Sequence, residues 1–427
     1  MKALRILFIV PYLPSLIRVR PYNLIRALAE RGHRITLLAL HPPGDDAGGL
    51  SNLRGWCQPV RVVQLSRWRT LWNGLQALPT QVPFQAAYSR SPQMAQLIRR
   101  TVKGDRYDVI HLEHLRGAEL GHALDAGGPP VVFDAVDSIT LLFERARQSA
   151  PRWQSRLLAW LDLGRTRRYE GQFARRFARV LVTSPEDRDA LAALAGTPPT
   201  SPPPAGGTEG GTKGGADDRL VVLPNGVDLS YFKPLNEPRQ LNSVVFSGKM
   251  SYHANTAAAL DLVQSVMPAV WAKRPQVQVW LVGKDPPAVL RELGADPRVT
   301  VTGTVPDLRP YVGRAAVAVT PLRYGVGIQN KVLEAMAMGT PVVTTPGACR
   351  ALTAEPGTHL LVGDSPQTLA EGILSLLADD QRQEALGQTG RRYVKNHHDW
   401  AGIAGRLETV YQETMVEASP GATLTPR

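Results

Sequence analysis

Apolar and polar positions along the chain alternate between short apolar runs and longer amphipathic stretches. LRILFIV (4–10) predicts a buried strand, PYNLIRALAERG (21–32) a helix closed by Gly32, and HRITLLAL (33–40) a second strand. VRVVQL (60–65), YDVIHLE (107–113), PVVFDAV (130–136) and VLVTS (180–184) continue the series, with a helical stretch from Ile139 to Arg179 before the last. VVLPNGVD (221–228) reads as a strand and loop completing the same sheet. A second set opens at SVVFSGKM (243–250), followed by a helix over 255–272. It runs on through QVQVWLVGK (276–284), RVTVTGTV (298–305), AVAVTP (316–321), PVVTT (341–345) and HLLVG (359–363). Helices over 366–378, 380–394 and 400–415 end the pattern. Near-continuous apolar strands alternating with helices indicate parallel sheets covered on both faces. The fold class is therefore α/β, with two doubly wound, Rossmann-like domains expected to face each other across a cleft at the carboxyl ends of their strands.

Between Gly196 and Asp218 the sequence is Pro- and Gly-rich with almost nothing to bury, and reads as a disordered insertion. The domains are accordingly placed at 1–195, with 219–235 as last strand and hinge, and at 236–395, leaving 396–427 as a final helix and tail. A length of 427 residues is enough for two cores. The net charge of +12, mostly arginine, favours anionic partners. No nucleic-acid-binding motif accompanies it, so nucleic acid is not the expected partner. Cys57 and Cys349 are far apart and point to reduced thiols in a cytosolic protein rather than a disulfide or zinc site. Leu4–Val10 is too short for a signal peptide, and no apolar run approaches the roughly 20 residues of a membrane span.

Chemistry concentrates in AVAVTPLRYGVGIQNKVLEAMAMGTPVVTT (316–345), which reads as strand, glycine loop, helix, glycine stop and strand. Gly325 and Gly327 allow close backbone approach to a ligand. A helix starting directly after such a loop offers amides and a positive dipole end to a phosphate. Lys331 adds a full charge there, and Glu334, one turn on, can accept hydrogen bonds from neighbouring hydroxyls. A phosphate beside a hydroxyl pair describes a nucleotide.

With these pieces in order, the chain resembles GT-B glycosyltransferases of family four, the large retaining family with many bacterial surface-polysaccharide enzymes. The segment around Lys331 and Glu334 and LPNGVDLSYFKP (223–234) carry most of the resemblance. LAERGHRITLL (28–38), YDVIH (107–111), VTSPEDRDAL (182–191) and VFSGK (245–249) support it. The resemblance implies that Glu334 holds the donor ribose, that loop amides at Gly327, Ile328 and Gln329 hold the diphosphate, and that Lys249 and Lys331 contact it. It also implies a C-terminal helix crossing back to the N-terminal domain, a nucleotide-sugar donor, a lipid-linked or glycan acceptor, no metal and no cofactor. Two positions depart from the family. Val326 replaces a glutamate that touches the donor sugar, which with Gly325 marks the sugar region as altered. Ala254 replaces a second basic residue, for which His253 or Lys331 is a stand-in.

In the N-terminal half, His111, Glu113 and His114 end a strand where the family often has His-x-His beside the reacting sugar. They are the catalytic candidates, or else surface loop residues. Arg18 and Arg20 lie in an altered N-terminal loop and either hold a phosphate or are helix-entry charges. The stretch 145–180, with Trp153, Trp160, Phe173 and Phe177 among arginines, suits either an anionic membrane surface on the inner face of the cell membrane or the solvated side of core helices. Asp187 and Asp189 resemble a metal-binding Asp-x-Asp, but the first turn of a helix favours acids on its own account. A glycosyltransferase is the expected function. The alternatives are a sugar-nucleotide epimerase on the same scaffold and a non-catalytic scaffold protein.

Overall fold

The computed structural model describes residues 2–16, 18–43, 49–125, 127–149, 153–196, 219–323 and 328–418. Of the stretch read as an insertion only Gly196 is among them, and Gly325, Val326 and Gly327 lie outside the described residues. The chain divides into two compact units: Met1–Pro224 with Ile403–Arg427, and Asn225–Gly402. The first boundary falls within the segment read as strand and hinge, and the second lies inside the last helix, Trp400–Ala418.

Unit 1 holds β1 (Arg5–Val10), β2 (Arg34–His41), β3 (Cys57–Gln64), β4 (Val109–Glu113), β5 (Val131–Val136), β6 (Arg179–Val182) and β7 (Leu220–Val222). They form a seven-stranded sheet in the order β3-β2-β1-β4-β5-β6-β7, with every pair parallel. One face buries Leu7, Ile9, Ile110, Leu112, Phe133 and Val180. Unit 2 holds β8 (Gln240–Ser247), β9 (Gln278–Val282), β10 (Val299–Gly303), β11 (Ala315–Thr320), β12 (Val342–Thr344) and β13 (Leu361–Val362). Its parallel sheet runs β10-β9-β8-β11-β12-β13. In each unit the first strand sits beside the point where the strand order reverses. Connecting helices leave to opposite sides there, so a crevice opens at the carboxyl ends of β1 and β4, and of β8 and β11.

Four helices between β2 and β4 are absent from the sequence reading: Leu50–Trp56, Arg67–Ala77, Phe84–Tyr88 and Pro92–Gly104. The stretch read as helical over 139–179 is two helices, Ile139–Ser149 and Trp153–Arg176. Part of this stretch packs into unit 1. Phe177 is in the core, its ring stacked on Phe133 with centroids 4.7 Å apart. Arg176 donates to the Gly121 carbonyl at 3.1 Å, Arg175 to the Ala195 carbonyl, and Arg167 pairs with Glu144. The side chains of 153–161, 173 and 174, which include Trp153, Trp160 and Phe173, lie outside the described residues. Asp187 is accounted for by folding. It is buried and accepts from the Ser138 amide at 3.0 Å and the Ser184 hydroxyl at 2.5 Å, while Asp189 pairs with Arg188.

From Ile403 onward the last helix belongs to unit 1, and charged groups fasten it. Glu408 accepts from Arg31 Nε and Nη2, each at 2.6 Å, and its Oε1 lies 2.5 Å from His33 Nε2. Tyr411, fully buried, meets His111 Nδ1 at 2.8 Å. Arg31 holds the Glu408 carboxyl below the usual glutamate range, against the opposing effect of burial. A carboxyl with a depressed folded-state pKa stabilises fully above its unfolded value, and the gain is lost as pH falls through the folded value. Glu408→Gln should cost about 1.5 kcal/mol in chemical denaturation at pH 7, less than for a fully buried pair because the Arg31 side chain is 35% exposed and water takes up part of its charge. The gap from wild type should narrow below pH ~4.5, the ordinary glutamate value.

Candidate functional site

The site in unit 2 rests on two strand ends that touch backbone to backbone. Gly248, just past β8, donates its N–H to the Val282 carbonyl at 3.0 Å. A Cβ on Gly283 would sit 1.7 Å from the Gly248 oxygen, so no side chain fits between β8 and β9. Gly248 has φ +150°, and a Cβ there would meet Asn255 Nδ2 at 2.9 Å and Lys331 Cε and Nζ at 3.3 Å. The bare backbone lets the Lys331 side chain lie across the end of β8.

Lys331 belongs to the helix Asn330–Ala337, which follows β11. That helix ends as its sequence directs. Gly339 has φ +71°, its N–H bonds to the Met336 carbonyl at 2.9 Å, and the Thr340 N–H reaches Ala335 at 2.9 Å, a Schellman stop. At its start, Lys331 Nζ donates to Asn255 Oδ1 at 2.5 Å and lies 5.0 Å from the centre of the Phe246 ring. Asn255 Nδ2 donates in turn to the Lys249 carbonyl at 2.9 Å. One amide thus orients both the ammonium and the turn bearing Lys249, whose own side chain is exposed.

Lys331 and Glu334 are three residues apart on one helix and stand in electrostatic reach of each other. Burial lowers the Lys331 ammonium to about 8, with Glu334 opposing. Burial raises the Glu334 carboxyl to about 7, with Lys331 opposing. Each charge only partly compensates the other, which suits a site that gains energy when an anion and hydrogen-bond donors arrive. Ile328 is buried against the core of this unit, and Gln329 is the residue preceding the helix. Asn330 Oδ1 is buried with no hydrogen-bond partner among the described residues.

In unit 1 the strand ends carry a second polar cluster. Glu113 closes β4 and is buried, with the Tyr12 hydroxyl donating to its Oε1 at 3.0 Å. Burial, reinforced by the Asp134 charge, raises its carboxyl to about 8, so it holds a proton at neutral pH. His114 follows with φ +64°, and burial with the Arg116 and Arg18 charges lowers it to about 3, leaving a neutral imidazole. The Arg18 guanidinium lies over the Tyr12 ring at 4.6 Å. Beneath them Arg20 Nε donates to Asp134 Oδ2 at 2.7 Å, and Nη1 donates to the Leu223 carbonyl at 2.9 Å. Burial pushes Asp134 up, but Arg20 and His111 outweigh it and hold the carboxyl below its ordinary range.

Family models match both units: the 4-like glycosyl transferase domain over residues 17–202, and glycosyl transferases group 1 over 242–379. The chain belongs to the group 1 glycosyl transferases. Among curated relatives, phosphatidyl-myo-inositol mannosyltransferase of Mycolicibacterium smegmatis is 28% identical over 203 residues, 45% of this chain and 51% of the relative. D-inositol 3-phosphate glycosyltransferase of Corynebacterium efficiens is 28% identical over 233 residues, covering 48% and 53%. The chain spans about half the length of these curated relatives. Two solved structures share the fold along nearly the whole length. Sucrose-phosphate synthase of Thermosynechococcus elongatus gives a TM-score of 0.66 at 21% identity, covering 97% of this chain and 100% of that one. Anabaena HepE in complex with UDP-glucose gives 0.64 at 16%, covering 96% and 100%.

In this group 1 transferase the structure gathers Lys249, Lys331 and the turn at Gly248 around one strand end, with Glu334 one helical turn from Lys331. It separates the N-terminal candidates into two kinds. Glu113 and His114 cap β4 with Arg18 beside them. His111 is fully buried, stacked on Phe8 at 4.4 Å and linked to Tyr411 and Asp134, so it supports the strand instead of facing a reactant. Arg20 is likewise corrected. It lies inside the helix Val19–Glu30, buried on Asp134, and is not a loop residue open to a phosphate. Ala254 is buried, and Asn255 is the residue from that turn that reaches Lys331. Asn255 and Gly283 were missed because neither carries charge. A Gly-Lys pair after each of the first two strands of this unit was the available signal. Gly248→Ala should cost about 2 kcal/mol in chemical denaturation through backbone strain and the Asn255 contact. Adding Asn255→Ala removes the 2.9 Å contact, so the double variant should lose less than the sum of the single changes.

Proposed function

We propose that unit 2 binds the nucleotide of a nucleoside-diphosphate sugar and that the chain transfers the sugar to a lipid-linked or surface-polysaccharide acceptor, with retention and without a metal. The observation that carries this reading is the pairing of a desolvated ammonium and a desolvated carboxyl at the carboxyl ends of β8 and β11. Lys331 and Lys249, with amides of Gly327, Ile328 and Gln329, would neutralise the diphosphate, and Glu334 would accept from the ribose hydroxyls. Gly325 and Val326 would border the sugar. Glu113 and His114, with Arg18, would receive the acceptor side of the reaction in unit 1. Catalysis would rest on positioning and on electrostatic stabilisation of the departing diphosphate, the part a metal plays elsewhere. Membership of a transferase family supports this reading, and so do the donors named for relatives, UDP-glucose for HepE and GDP-mannose for a corynebacterial mannosyltransferase. The inositol-containing acceptors of the curated relatives make phosphoinositide-type lipids the first acceptors to try. Two free cysteines, one buried, fit a reducing compartment such as the cytoplasm.

Glu334→Ala should weaken binding of UDP- or GDP-sugars about 100-fold by calorimetry, the loss of hydrogen bonds to a charged acceptor. Unchanged affinity would remove the assignment.

Proton linkage gives a second check. A bound diphosphate raises the pKa of Lys331 from about 8, and hydroxyl donors lower that of Glu334 from about 7. Binding should therefore take up a proton above pH 8 and release one below pH 7. Calorimetry in buffers of different ionisation enthalpy reads both, with a nucleotide sugar as probe because its esterified phosphates do not titrate near neutrality. Lys331→Met should abolish the uptake and Glu334→Gln the release. Isomerised sugar nucleotide formed without acceptor would instead favour an epimerase.

A further inference from the structure

The helix Arg67–Ala77 in unit 1 is amphipathic in the reverse of the usual sense. Ser66 caps it, accepting from the Arg69 amide at 3.2 Å. The side turned to the protein carries Thr70, Asn73 and Ala77, all buried. Asn73 fastens the helix by donating to the Tyr88 and Arg90 carbonyls at 3.2 and 2.8 Å. The opposite side presents Trp68, Leu71, Trp72 and Leu75, followed by Leu78, at 82%, 61%, 54%, 59% and 55% exposure. Their spacing of three, four, seven and ten residues from Trp68 makes one continuous stripe. Five of the eleven exposed large apolar side chains among the described residues are here, bordering an open concavity floored by Phe84. Scattered single residues need no explanation, but a contiguous stripe of this size marks a surface that meets something apolar.

Charge narrows what that is. Residues 47–104 contain eight arginines and lysines and no aspartate or glutamate. Arg67 and Arg69 lie on the helix itself. The Arg165 guanidinium sits 4.7 Å from the Phe84 ring centre and donates to the Leu78 carbonyl at 2.8 Å, and Arg168 is exposed beside it on Gln81. Asp162 is the acid beside this concavity, and it is buried on the Phe84 amide. An apolar stripe with two tryptophans and exposed cations at its rim therefore has the chemistry of the acyl–headgroup boundary of an anionic bilayer. Among the described residues no helix is long and apolar enough to cross a membrane, so this face offers contact without insertion of a span.

We propose that the Trp68–Leu78 face of unit 1 docks on an anionic lipid bilayer, with the helix lying in the interface plane and its arginines on the headgroups. As the means by which a transferase meets a lipid-linked acceptor, the proposal rests on the reading above. As a bilayer-binding surface it stands on this face alone.

The test is co-sedimentation of the full chain with vesicles of phosphatidylcholine, with and without phosphatidylglycerol. It is joined by quenching of tryptophan fluorescence with lipids brominated on the acyl chain. Wild type should sediment with anionic vesicles and be quenched. Trp68→Ser/Trp72→Ser should bind at least about tenfold more weakly and lose the quenching, and Arg67→Gln/Arg69→Gln should weaken binding and flatten its salt dependence. Both double variants should bind nucleotide sugar as wild type does, which shows an intact fold and separates failure here from failure of the donor assignment. Failure of wild type to bind anionic vesicles would overturn the proposal, as would equal binding and quenching in the tryptophan variant. A concentration-dependent dimer in sedimentation velocity, abolished by the tryptophan changes, would assign the face to self-association instead.

Discussion

The polar cluster of unit 2 depends on the contact between two glycine backbones at the ends of β8 and β9. With 1.7 Å between a Cβ on Gly283 and the Gly248 oxygen, any side chain at that position would force the strand ends apart. Because they close, the turn after β8 presents bare backbone, and a lysine from the helix after β11 can lie across it. Asn255 then fixes the ammonium, and the Phe246 ring shields one side of it. Burial lowers the charge's stability enough to bring Lys331 to about 8, and Glu334, pushed to about 7, answers it only in part. Such a pair is costly to keep empty and is relieved by a ligand carrying an anion and hydroxyls close together.

Unit 1 treats its strand ends differently. A buried polar network (Arg20, Asp134, His111 and Tyr411) joins the first helix, the central strands and the returning last helix. It is fully buried and ties these elements together beneath the strand ends. The layer above it holds Glu113, protonated at physiological pH, and His114, neutral there. Position along the same strand sets different surroundings: His111 and Glu113 are two residues apart, yet one is stacked on Phe8 and the other hydrogen-bonded to Tyr12.

The strands and the Lys331–Glu334 helix were legible because each signal was local. Continuous apolar runs mark buried parallel strands, and Gly339 with Pro341 marks a helix end whatever surrounds it. The helices over residues 50–104 escaped notice because three of them are short or turn polar residues inward. Asn73 and Thr70 face the protein while tryptophans face out, against the rule that apolar stripes are core. The burial of Arg20 and His111 was hidden from the sequence for a related reason. A charged residue after a strand looks available until Asp134, more than a hundred positions away from Arg20, is seen to claim it. Asn255 carries no charge, and its neighbour Ala254 drew attention as a missing base.

The central claim is that the ends of β8 and β11 form a nucleotide-diphosphate site. A crystal structure with a bound UDP- or GDP-sugar tests it most directly. The account predicts diphosphate oxygens within hydrogen-bond distance of Lys331 Nζ and the Gly248–Lys249 turn, and ribose hydroxyls on Glu334. Nucleotide bound elsewhere in the chain, or with Glu334 turned away from the ribose, would contradict it.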